Sequence, residues 1–142
     1  MIKPTSKPFD RNLYEADDSV KEIFITKLHS MGFEAKVNPD KYGIDILSNW
    51  AGPNTGIEIE IKHNWRGKKF PFKTVHFAAR KFKFLNQTEE VKFVMFNHDR
   101  THVLVVDGKE FKKIVTKNTI YTDEETFYEI PIENCSILNL EE

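Results

Sequence analysis

Ile57-Glu58-Ile59-Glu60-Ile61-Lys62 alternates apolar and charged residues without a break, and a period of two marks a β-strand with one face in a core. Successive side chains of a strand point to opposite faces, so the three isoleucines should be buried while Glu58, Glu60 and Lys62 share the other face. Taken alone, two carboxylates and an ammonium in a row describe an amphipathic strand with a cross-face ion pair. The stretch upstream changes that reading. Gly43-Ile44-Asp45-Ile46-Leu47 predicts a second short strand with Asp45 inside an apolar run, where a carboxylate is costly unless a partner, a proton or a metal compensates it. Ala51-Gly52-Pro53-Asn54-Thr55-Gly56 is turn chemistry, and pairing of the two strands across it would bring Asp45 near Glu60.

Working outward, residues 1–16 are rich in Pro and polar groups and read as an N-terminal arm. Asp17 or Asp18 can cap a helix in which Val20, Ile23, Phe24, Lys27, Leu28 and Met31 fall on one stripe, and Gly32 closes it. Phe33–Val37 alternates like a strand, and Asn38-Pro39-Asp40 is a turn. Val75, Ala78 or Ala79, Phe82 and Leu85 predict a helix from Thr74 to Asn86, although Lys81-Phe82-Lys83-Phe84 suits a strand equally. Val91–Phe96 and His102–Val106 form a hairpin around Asn97-His98-Asp99-Arg100, and Phe127–Ile132 is expected to be the last strand. The order argues one α/β (α+β) domain over residues 1–142, with residues 17–108 as the core and 109–142 as a C-terminal extension.

A chain of 142 residues with 12 Phe, 4 Tyr and 2 Trp can build a core without staples. The lone Cys135 cannot close an internal disulfide, and no apolar stretch approaches the ~20 residues that span a bilayer. A cytoplasmic protein with no membrane partner is expected. The net charge of −1 is unevenly distributed. Residues 61–88 contain no Asp or Glu and carry eight basic residues, leaving −9 for the rest. A solvated face explains such a run, and so does a phosphate-binding surface built from Arg66, Lys68, Lys69, Lys73, Arg80 and Lys81.

Asp45, Glu60 and Glu58 offer only hard oxygen ligands, the type that suits Mg²⁺. A phosphodiester would complete such a shell, with Lys62 stabilising the charge that develops on it. His63, Asn64 and Trp65 continue the same strand, and His76 lies near the basic run. There is no Gly-rich phosphate loop, nucleophile elbow or His-x-x-x-His pair.

A helix, then Gly43-Ile44-Asp45, a gap, Glu58-Ile59-Glu60-Ile61-Lys62 and a basic segment together resemble the PD-(D/E)xK nuclease superfamily, over residues 17–86. The resemblance implies a restriction-endonuclease-like αβββαβ core, with a mixed central sheet flanked by helices, as in restriction enzymes, Holliday-junction resolvases and phage nucleases. It implies a Mg²⁺-dependent DNA endonuclease, with Mn²⁺ able to substitute, and a homodimer where both strands are cut. By the same resemblance Asp45, Glu60 and the backbone carbonyl of Ile61 are metal ligands, and Lys62 is the catalytic lysine. Members often add an acid from the first helix, for which Asp18 and Glu22, four apart on one face, are the candidates. The alternative makes Asp18 a cap and Glu22 solvent-facing. Ile44, not proline, precedes Asp45, whereas the literal Pro39-Asp40 falls in the expected turn. Two other readings remain: a silent nucleic-acid-binding module on the same fold, and a protein-interaction domain whose Glu/Lys strand is an exposed edge protected by charge.

Overall fold

The computed structural model describes residues 11–117 and 124–141, without the side chains of residues 11–17. Helix α1 spans Arg11–Ser30 and buries Val20, Phe24, Ile25 and Leu28, the stripe expected from spacing. Gly32, at φ 90°, ends it. The Phe33 N–H reaches back to the Leu28 carbonyl at 2.9 Å and the Gly32 N–H to that of His29 at 3.0 Å, which satisfies the carbonyls a helix end leaves open. The helix begins earlier than the sequence pattern suggests, so residues 11–16 belong to it and not to an arm; residues 1–10 lie outside the described residues. Asp17 and Asp18 therefore sit within the helix and cannot cap it.

Strands β1 (Ala35–Val37), β2 (Ile46–Ser48) and β3 (Thr55–Lys62) follow as an antiparallel meander. β3 then pairs in parallel with β5 (Glu90–Asn97), which turns back on β6 (His102–Asp107) as the expected hairpin. β9 (Ser136–Asn139), and not the Phe127 strand, comes last and closes the order β1-β2-β3-β5-β6-β9. β4 (Thr74–Ala78), β8 (Glu125–Pro131) and β7 (Ile114–Lys117) make a second, antiparallel sheet in the order β4-β8-β7. The segment read as an extension thus supplies three strands.

The expected helix over Thr74–Asn86 is not formed. Val75 and Phe77 are buried at alternate positions with the His76 side chain between them half-buried, a period of two that β8 completes across the ladder. A 3₁₀ turn covers Ala79–Phe84 and buries Phe84, while Phe82 is exposed. An α-helix would have required the reverse.

α1 covers one face of the central sheet, packing with Ile46, Ile57, Ile59, Val94, Phe96 and Val103. The second sheet covers the other face through Val75, Phe77, Phe93, Met95, Phe111 and Tyr128. The fold is mixed α+β as expected, but a helix flanks only one face and a sheet replaces it on the other. Among the described residues no helix is long and apolar enough to cross a membrane.

Gly56 shows how closely the meander packs. A Cβ there would lie 2.6 Å from Thr88 Oγ1 and 2.7 Å from Ile44 Cδ1. Gly56→Ala is expected to cost about 1–3 kcal/mol through overpacking, read as a lower urea midpoint at unchanged slope. A loss below about 0.5 kcal/mol would show that the Thr88 loop simply moves aside.

Candidate active site

β3 is the wall between the two cores. Its isoleucines face α1, so Glu58 and Glu60 face the side covered by the second sheet, opposite Phe93 and Met95 of β5. Asp45 lies just before β2, and since Ile46 pairs with Ile57, the antiparallel register sets Asp45 beside Glu58. Its Oδ2 accepts the Ile59 N–H at 2.8 Å, taking a strand donor just beyond the end of β2. Asp18, Lys21, Asp40, Asp45, Glu58, Glu60, Ile61, Lys62, His63, His76, Arg80 and Lys81 all line one cavity of about 820 Å³.

Two lysines each bridge a pair of carboxylates in this cavity. Lys21 Nζ lies 3.2 Å from Asp45 Oδ1 and 3.6 Å from Asp18 Oδ1. Lys81 Nζ lies 3.1 Å from Glu58 Oε2 and 3.0 Å from Glu60 Oε2. Glu58 is buried, and its second oxygen, Oε1, meets no cation or N–H donor among the described residues, while the Asp45 carboxyl lies within hydrogen-bonding reach of Glu58. Burial pushes the Glu58 carboxyl up to about 8; Lys81 pulls against this shift and the Asp45 carboxylate adds to it. Burial alone would lower Lys81, but Glu60 and Glu58 outweigh it and hold the ammonium above its ordinary range. Lys62 is shifted the other way: burial lowers it, Glu60 resists, and Lys117 lowers it further. The Lys62 ammonium lies 5.3 Å from the Phe72 ring centroid, within cation–π range.

Asp45, Glu60 and Lys62, expected together, line the same cavity, and Ile61 and Glu58 line it with them. Of the two first-helix acids, Asp18 is at the cavity. Glu22 is exposed and borders a separate hollow with Leu140. Asp40 sits in the expected turn, its Oδ1 accepting the Tyr42 N–H at 3.0 Å. Arg66, Lys68, Lys69 and Lys73 are exposed outside the cavity lining. Arg80 is at the rim, 3.3 Å from Glu125, while Lys81 is an interior counter-ion and not a surface cation. His76 pairs with Glu129 at 2.8 Å. Trp65 is fully buried against Phe70 and does not extend the strand into the site.

Lys21 and Lys81 are not legible as site residues in the sequence. Lys21 is a helix lysine like its neighbours until the fold puts Asp45 beside it, and no local spacing relates Lys81 to residues more than twenty positions earlier. β3 is bonded to β2 on one side and β5 on the other, so it is not the exposed edge that a charge-protected interaction strand would need. Among the described residues no three His, Cys, Asp or Glu side chains converge in a metal-holding group.

No protein-family model, curated protein or solved structure matches the chain.

Proposed function

We propose that this chain is a divalent-metal-dependent nuclease that hydrolyses DNA phosphodiester bonds. One observation carries the reading: Asp45 from the segment entering β2, and Glu58, Glu60 and Lys62 of β3, line a single open cavity together with Asp18 of the first helix. A helix, three antiparallel strands and a parallel fourth pairing with the third support the αβββαβ resemblance, with β4 and the 3₁₀ turn standing where that core has its second helix. The donors suit a hard dication in kind, because they are all oxygens and one of them, Glu58 Oε1, is buried with no cation or N–H donor on it among the described residues.

Asp45, Glu60 and the Ile61 carbonyl would hold Mg²⁺ or Mn²⁺, with Glu58 and Asp18 as the neighbouring carboxylates. A bound Mg²⁺ supplies polarisation of a phosphoryl oxygen and a water of lowered pKa. Lys62, pointing from the same strand face, stabilises negative charge developing on the phosphate. Lys21 holds the Asp45 carboxylate at 3.2 Å and fixes its orientation. Arg66, Lys68, Lys69 and Lys73 lie beyond the cavity, suited to grip the backbone of the nucleic acid.

The test is incubation of the chain with plasmid, linear, branched and single-stranded DNA, with Mg²⁺ and with chelator. Mg²⁺-dependent cleavage is expected; binding without cleavage would favour the silent nucleic-acid-binding module. That second reading has its own observation, since Lys81 already engages both Glu58 and Glu60. If the exposed lysines contact phosphates, DNA affinity falls steeply with salt through counterion release. Replacing Lys68, Lys69 and Lys73 by Ala should then reduce the slope of log affinity against log salt, on duplex DNA, by about 0.9 for each phosphate no longer neutralised. An unchanged slope in the triple variant would make these lysines a solvated face.

A further inference from the structure

We propose that Lys81 is a built-in counter-ion that competes with the divalent cation for Glu58 and Glu60, so that loading the site displaces its ammonium from the carboxylates. The proposal rests on the metal-dependent reading above and adds a residue that reading did not contain. Lys81 is only 14% exposed and touches one oxygen of each glutamate, at 3.1 and 3.0 Å, where a dication would draw on the same oxygens. An ammonium and a dication cannot both take the short contacts without strong repulsion between them. The adjacent Glu58 Oε1 is buried with no cation or N–H donor on it among the described residues, and the Asp45 carboxyl stands within hydrogen-bonding reach of Glu58, so the ammonium meets only part of a crowded carboxyl cluster. A second observation concerns the carrier. Lys81 sits on the 3₁₀ turn Ala79–Phe84, which has no side-chain cap; Phe84, Ala79 and Leu85 anchor that turn in the inter-sheet core, so displacement is a rotation of the long Lys81 side chain and leaves the backbone in place. Lys81 and its neighbour Arg80 line the same cavity, so an ammonium displaced within it would be able to meet an anionic substrate that arrives with the metal.

Mn²⁺ binding is measured on the full chain as wild type, Lys81→Gln and Glu60→Gln, by calorimetry and by loss of the free Mn²⁺ resonance signal. Lys81→Gln is expected to bind at least about tenfold more tightly than wild type, because no ammonium has to be displaced. A lysine kept only for packing would leave the affinity unchanged. In wild type, amine-selective labelling followed by peptide mass analysis should show Lys81 protected without metal and several-fold more reactive in saturating Mn²⁺. The labelling needs no variant, so it decides the matter even if Lys81→Gln fails to fold. Equal affinity in wild type and Lys81→Gln, with binding lost in Glu60→Gln, overturns the competition and leaves the metal reading standing. Unchanged labelling of Lys81 at saturation also overturns it. Absence of Mn²⁺ binding in all three chains overturns both.

Discussion

Lys62→Met is expected to lower single-turnover DNA cleavage by about 10²–10³-fold, the usual loss when one group aimed at developing charge is removed, while thermal stability stays near that of wild type. Methionine keeps an unbranched apolar stem to lie along Phe72, whose ring centroid is 5.3 Å from the ammonium, and it removes only the charge. Burial already disfavours that charge, so its loss carries little folding penalty. On the nuclease reading the chemistry needs the ammonium, whereas the fold does not. Cleavage within fivefold of wild type, in a chain that melts normally, would remove Lys62 from the mechanism. A parallel collapse of melting temperature would instead assign it to structure.

Phe93→Ala should lose about 3–5 kcal/mol of unfolding free energy, the range for truncating a fully buried phenylalanine. Phe93 stacks on Phe111 with centroids 4.2 Å apart and leans on Phe77 at 5.6 Å, and Phe111 in turn meets Tyr128 at 4.7 Å. These rings join the central sheet to the second sheet, so the cavity left behind would lie where the two layers meet. A domain of this size has roughly 5–15 kcal/mol in total, and the variant should therefore stand near the edge of folding. A loss of less than about 1 kcal/mol, read from the urea midpoint at unchanged slope, would mean that the rings re-close around alanine. Since Phe93 pairs with Glu58 across the β3–β5 ladder, a folded variant should also hold the acidic cavity less firmly.

The parts of this molecule readable in advance are those whose signal is local. β3 announces itself by strict alternation, α1 by a stripe of Val20, Phe24 and Leu28, and the β5–β6 hairpin by the turn at residues 97–100. β4 misleads because Val75, Ala78, Phe82 and Leu85 fit a helix in isolation, and only β8, about fifty residues later, supplies the ladder that makes it a strand. The start of α1 is hidden because Leu13, Tyr14 and Ala16 are too short a run to fix a helical stripe on their own, next to the Pro-containing polar residues before them. In the site, Glu58, Glu60 and Lys62 share a face by period alone. The pairing of Asp45 with Glu58, and not directly with Glu60, depends on a register that the intervening turn does not encode. Lys81 has the charge of a surface contact, and its interior role arises from a crossover that sequence spacing cannot measure.

The two cores on either side of β3 each contain one tryptophan. Trp50 packs edge-on against Phe24 at 5.5 Å in the helix-side core, and Trp65 is enclosed with Phe70 between the sheets. The chain has no other indole, so each single Trp→Phe variant leaves one intrinsic fluorophore that reports on one layer. Denaturation curves from the two variants, laid over each other, would reveal whether the helix peels from the sheet before the sheets part or whether both layers are lost in one cooperative step.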